Sequence, residues 1–326
     1  AADGGMYELY DAPVGVQLTL DQAVKSDTLL VGDLGSPVRA WVEDGRYHML
    51  YGSSYGACYA ISDDGYNWTR PNVGLFDYKG SRNNNFVTNV AGDSFKTVFE
   101  DPIAPPEERF KAMGCEMGWF DPDTGEKLGG EEERRRGEAQ EADRRWKAQK
   151  NEGQAYKGPK IALRGWVIGW VSPDRVHWKR MDGHLAGFPM DGGLSAHYDP
   201  YTETYFAYCR IHHRQPGELM GIGTGIPEVG IGRRSIGISR TKDFRDWPAP
   251  KLLLYPDAQD DPDISFYGSE YFPYPGRTDL HCMLIQVYHQ ITDHVDSQIA
   301  FSRDGLFWHR PERKAIIPVG DLGSGD

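Results

Sequence analysis

The chain lacks what would place it in a membrane or on nucleic acid. No apolar run approaches the roughly 20 residues that cross a bilayer. Basic residues are in the minority: 36 Lys and Arg face 48 Asp and Glu, a formal charge of −12. A chain of that sign is a poor ligand for a polyanion, which excludes nucleic acid as the main partner. Cysteine is scarce, with 4 in 326 residues. Cys58, Cys115, Cys209 and Cys282 stand far apart without a CxxC, so a redox motif or thiolate metal knot is not expected, and buried strand thiols are. The histidines form neither HExxH nor a dense ligand run, so the sequence predicts no metal site. The first residues, AADGGMYELY, have neither the basic nor the apolar region of a signal peptide. A processed chain would look the same, so the compartment stays open.

Turn formers and aromatics are plentiful: 39 Gly, 21 Pro, 18 Tyr, 13 Phe and 9 Trp. Many turns between aromatic-rich runs indicate an all-β protein.

One pattern recurs four times, a Ser-Asp-Gly type turn followed by Trp. The copies are Ser62-Asp-Asp-Gly-Tyr-Asn-Trp68, Ser172-Pro-Asp-Arg-Val-His-Trp178, Ser239-Arg-Thr-Lys-Asp-Phe-Arg-Asp-Trp247 and Ser302-Arg-Asp-Gly-Leu-Phe-Trp308. Two continue almost identically, as Trp68-Thr-Arg-Pro71 and Trp308-His-Arg-Pro311. Each turn follows an alternating strand (ACYAIS, WVIGWVS, SIGIS, SQIAFS), and two further strands precede each of those. Strands in this order, closed by a capped turn and a Trp plug, are the sequence image of a four-stranded antiparallel β-propeller blade. Asp caps free backbone N–H groups, Gly accepts a positive φ, and Trp fills the space between blades. The four tryptophans should therefore be buried at equivalent places.

The blades span about 34–76, 93–182, 191–254 and 265–317, in a single propeller domain covering 1–326. An insertion at about 121–160 stretches the second blade. Its run EEERRRGEAQEADRRWKAQK pairs acids with bases at helical spacing and has almost no apolar stripe. That predicts a charged helix, solvated or set against a second subunit as a route to a homo-oligomer. The tail Val319-Gly-Asp-Leu-Gly-Ser-Gly-Asp326 repeats Val31-Gly-Asp-Leu-Gly-Ser-Pro37, which leads into the first blade. The expected architecture is five-bladed with the last blade incomplete in this chain; a closed four-bladed ring is the alternative.

The stretches SDDGYNWTRPNVGLFDYKGSRNNNFV, FEDPIAPPEERFKAM, FYGSEYFPYPG and SRDGLFWHRP resemble bacterial proteins related to glycoside hydrolase family 32. These are five-bladed propellers akin to families 32, 43 and 68, and the likeness runs from about residue 7 to the end. It implies a glycoside hydrolase with a carboxylate-lined central pocket acting on a furanosidic or similar exposed sugar. The motifs depart from the family pattern. Gly32-Asp33-Leu-Gly-Ser-Pro37 replaces the first-blade Trp-Met-Asn-Asp-Pro-Asn, and Glu100-Asp101-Pro102 replaces the second-blade Arg-Asp-Pro. The third-blade Glu-Cys has no counterpart. What carries over is an acidic pocket, with no role fixed for each acid.

The first strand of every propeller blade lines the central channel, so the residues around those strands are the candidates. They include Asp33, Asp93, Asp101, Asp191, Asp263, Glu270 and Asp326. Asp33, Asp191 and Glu270 are the expected catalytic set, because glycosidic cleavage needs an acid and a nucleophile or base. Glu270 lies inside an aromatic strand, where burial would raise its pKa and suit it to be the acid. Asp33 precedes the first inner strand, as the first catalytic Asp does in the related families. Asp63, Asp64, Asp174 and Asp304 belong to the repeat turns and are read as structural. Arg39, Asp101, Tyr267, Arg210 and His289 are the expected substrate contacts. No cofactor is predicted, although a structural calcium ion among channel carboxylates would suit such a pocket. Two other functions fit the same pattern: a carbohydrate-binding propeller without catalysis, and a polysaccharide lyase using Tyr288, His289 and Arg39.

Overall fold

The computed structural model describes residues 21–25, 29–32, 35, 37–88, 95–120, 129, 162–190, 193–213, 233–277 and 279–320. Among them the chain forms four antiparallel sheets in sequence order. Blade one comprises β1 (Pro37–Glu43), β2 (Arg46–Ser53), β3 (Gly56–Ser62) and β4 (Trp68–Thr69). Blade two comprises β5 (Thr97–Glu100), β6 (Phe110–Phe120), β7 (Ala162–Ser172) and β8 (Lys179–Arg180). Blade three comprises β9 (Ser195–Asp199), β10 (Thr204–His213), β11 (Arg233–Thr241) and β12 (Lys251–Leu254). Blade four has three full strands, β13 (Ile264–Pro273), β14 (His281–His289) and β15 (His294–Ser302). Its fourth strand is reduced to two bridges, Phe301 to His309 and Ser297 to Ile317. β13 begins five residues ahead of the strand expected from the sequence, SEYFPYP.

The first strand of each blade is a sheet edge, and β1, β5, β9 and β13 neighbour one another in turn. This is the propeller arrangement, all-β, with first strands around the axis. The insertion joins β6 to β7, as expected, but apart from Gly129 residues 121–161 lie outside the described residues, as do 321–326. Ahead of blade one, Ala23 N donates to Ile316 O at 2.7 Å, which fastens this segment to blade four. No described helix is long and apolar enough to cross a membrane.

The repeat turns explain the repeated sequence. Ser62 Oγ accepts from the backbone N of Asp64 and Gly65, and Asp64 Oδ1 from those of Tyr66 and Asn67. Ser172 with Asp174 and Ser302 with Asp304 repeat this pattern. Blade three substitutes Thr241 and Asp243. The third turn position needs φ near 70°, which Gly65 and Gly305 supply freely. In blade two it is Arg175, at φ 65°. Its guanidinium covers Phe110 at 3.8 Å and pairs with Glu43 of blade one at 3.1 Å, contacts that offset the backbone cost.

The tryptophans occupy one structural position. Each indole N donates to the carbonyl three residues earlier: Trp68 to Gly65, Trp178 to Arg175, Trp247 to Phe244 and Trp308 to Gly305. Only Trp247 is buried; the other three are half-buried. Trp178 packs in the apolar cluster between blades one and two, Trp247 in that between two and three, and Trp308 in that between three and four. None of the four cysteines is in a disulfide; three are buried and Cys115 is half-buried.

Candidate active site at the channel mouth

Two hydrogen bonds set the heights of the inner strands. Ala196 N donates to Thr97 Oγ1 at 3.0 Å, which levels β9 with the start of β5. Tyr271 N donates to Ser195 Oγ at 3.0 Å, which levels the middle of β13 with the start of β9. The intervening contact is backbone on backbone. Gly193 has φ +64°, and a Cβ there would stand 2.3 Å from Ser269 N. A residue other than Gly at 193 would push the strands apart. Glu270 therefore lies deep in its own strand yet level with the first residues of β9.

Tyr271 anchors the strand. Its ring stacks on His197 at 3.8 Å, and its hydroxyl is 3.0 Å from His281 Nδ1. Neighbouring strand residues point to opposite sides, so anchoring Tyr271 aims Glu270 the other way. Glu270 keeps exposed surface while protein surrounds it on most sides, as befits a side chain on a channel wall. The enclosure governs its ionisation. Desolvation pushes the carboxyl up to about 7, against the opposing pull of Arg39.

Arg39, in β1, is half-buried. Burial lowers its pKa, while Tyr271 and Glu270 pull it back up. Arg39 and Glu270 thus lie near enough for each charge to act on the other. Neither makes a hydrogen bond or ion pair among the described residues, so both are available to a ligand. Asp33 and Asp191, the other expected catalytic acids, lie outside the described residues, as does Asp93.

The remaining expected contacts divide. Tyr267 and Arg210 meet: the guanidinium covers the ring at 4.7 Å, and Nη1 donates to the Tyr267 carbonyl at 3.3 Å. Arg234 lies 5.3 Å from the Tyr267 ring and 5.4 Å from that of Tyr288, completing a cationic-aromatic cluster between blades three and four. His289 is elsewhere, with Nε2 2.8 Å from Asp296 Oδ2. Tyr288 and His289 are consecutive in β14 and point to opposite faces, so they do not converge as the acid and base of a lyase.

Asp101, expected to touch substrate, is instead an internal structural acid only 1% exposed. It follows the far end of β5, accepts from Tyr205 Oη at 2.7 Å and lies 3.7 Å from Lys111 Nζ. Tyr205 and Lys111 come from different blades, so Asp101 ties blades two and three together. The turn acids behave as expected, except that Asp63 makes no turn contact and pairs with Arg46 on the surface. Arg234 carried no sequence signal, since its meeting with Tyr267 and Tyr288 depends on how blades three and four face each other.

No protein-family model and no curated protein matches the chain. Among solved structures, it is similar to an N-acetylgalactosamine deacetylase from F. plautii in complex with blood group B trisaccharide. That match has a TM-score of 0.51 and 12% identity over 92% of this chain and 75% of the other. A thermostable family-43 glycoside hydrolase aligns at TM-score 0.46 and 12% identity, over 87% and 74% of the two chains. The Bombyx mori GH32 β-fructofuranosidase aligns at 0.43 and 9%, over 86% of this chain and 49% of that one. The first match, at TM-score 0.51 and 12% identity, shows a likeness of fold alone.

Proposed function

We propose that the chain is a glycosidase whose general acid is Glu270. The observation behind this reading is a carboxyl that desolvation pushes up to about 7 on the channel wall, with a guanidinium close by and no hydrogen-bond partner among the described residues. At pH 7 a substantial fraction of Glu270 is protonated and can donate to a glycosidic oxygen. Arg39 is suited to grip a hydroxyl or carboxylate of the sugar. Asp33 and Asp191 are the proposed partners, one of them acting as nucleophile or base; Gly193, two residues beyond Asp191, already touches the strand that carries Glu270. A furanosidic substrate is the finer reading, supported by the sequence resemblance. A solved structure of the same fold holds a blood group trisaccharide, in keeping with carbohydrate as the ligand class. The experiment is incubation with aryl furanosides, aryl pyranosides and oligosaccharides. Product release by the wild type that disappears in Glu270→Gln supports the proposal. Sugar binding without product release, unchanged in Glu270→Gln, assigns the chain to the carbohydrate-binding class instead.

A further inference from the structure

Apart from the channel, the described residues hold one cluster of mixed nitrogen and oxygen donors, at the tip of the β14–β15 hairpin. His289 ends β14, His294 begins β15, and the two are direct cross-strand partners. Asp296 lies two residues beyond His294, hence on the same side of the strand. One ligand atom from each of the three falls within 4.8 Å of the others. The imidazoles of His289 and His294 stack at 4.2 Å.

Two details go beyond what hairpin packing needs. Asp296 Oδ2 accepts from His289 Nε2, but Oδ1 is buried with no partner among the described residues. A buried carboxylate oxygen left unpaired is costly, and a cation would satisfy it. Meanwhile Thr292 Oγ1 lies 2.6 Å from His294 Nδ1 and so fixes the orientation of that ring. An outer partner that orients an imidazole is a usual companion of metal ligation.

We propose that His289, His294 and Asp296 bind one divalent transition-metal ion of the zinc class. Two imidazoles and a carboxylate suit zinc, with water completing a tetrahedron, whereas calcium and magnesium favour all-oxygen cages. Metal–ligand bonds of about 2.0–2.2 Å set neighbouring ligand atoms roughly 3.4 Å apart, so atoms that all lie within 4.8 Å of one another need close by no more than about 1.4 Å through side-chain rotation. The same hairpin carries Tyr288, whose ring packs 5.6 Å from Tyr267. A bound ion would brace that side of the rim. This role is separate from the chemistry at Glu270 and stands or falls without it.

The test uses the full chain stripped with EDTA and then titrated with zinc by calorimetry and with cobalt by visible absorption. One equivalent should bind, with a tetrahedral-type cobalt spectrum. His294→Ala and Asp296→Asn should each weaken binding at least about tenfold, while His184→Ala, on an exposed loop of blade two, should leave it unchanged. Circular dichroism checks that each variant is folded, and Asp296→Asn keeps the shape of the side chain should the alanine variant unfold. No heat or spectrum above the buffer control in the wild type would overturn the proposal. So would binding that survives both substitutions in folded protein.

Discussion

Arg39 on the first inner strand and Glu270 on the fourth lie close enough for each to move the other's ionisation, yet they form no ion pair. A closed pair would hold Glu270 ionised and useless as an acid. Desolvation without pairing does the opposite and keeps a proton on the carboxyl near neutrality. The spacing of these two charges is the feature from which the functional reading grows.

Asp101 is expected to matter for stability and not for turnover. Asp101→Ala leaves Lys111, itself only 4% exposed, with Glu108 as its remaining carboxylate. It also removes the acceptor of Tyr205. A loss of about 3 kcal/mol is expected, at the lower end for a broken buried pair because Glu108 remains. Chemical denaturation measures it, and a change under 1 kcal/mol would mean that Asp101 is not the anchor described here.

His197 should make the fold acid-sensitive. Burial first, then His281, lowers its pKa to about 3. An unfolded imidazole titrates near 6.5. Between those values the unfolded chain binds the extra proton, so stability is intact above about pH 6.5 and falls as pH drops toward 3, by at most about 1.4 kcal/mol per unit. His197→Phe keeps the stack on Tyr271 and removes Nδ1, a buried atom with no partner. The variant should lose less stability than the wild type between pH 6.5 and 4.5; parallel losses would rule out His197 as the cause.

The two Trp-x-Arg-Pro repeats frame a prediction for Asp33. In blade four, Arg310 grips Asp260 with both Nη atoms, at 2.8 and 2.5 Å. In blade one, Arg70 donates to the Val31 carbonyl and to Tyr51 Oη. Asp260 stands four residues ahead of β13, as Asp33 does ahead of β1. The catalytic proposal expects Asp33→Asn to lose at least about a hundredfold in kcat with an unchanged melting temperature. Asp64→Asn, which weakens a turn cap, should do the reverse. If Asp33→Asn lowers the melting temperature and spares kcat, Asp33 is a structural counterpart of Asp260.

The blades were legible because their signal is local. A Ser, an Asp and a Trp within seven residues make the same hydrogen bonds whatever surrounds them. Glu270 stood out as a candidate for a related reason, being a lone carboxylate in an aromatic strand. Asp101 was not, because its partners Lys111 and Tyr205 are set by sheet register and blade packing, and Tyr205 lies in another blade. The His289, His294 and Asp296 cluster escaped for the same cause: only the pairing of β14 with β15 brings the histidines face to face. The early start of β13 was hidden by Tyr267 and Gly268, where the register shifts.

The most direct test of the account is the pH profile of kcat/KM for Glu270 and its variant, on the best substrate from the sugar panel. With a protonated Glu270 as acid, the wild-type rate should fall above about pH 7, the value to which burial raises this carboxyl. Glu270→Gln should lose that alkaline limb together with most activity, and should recover best on substrates whose leaving group needs no protonation. An alkaline limb that persists unchanged in Glu270→Gln, at near-normal rates, would contradict the assignment.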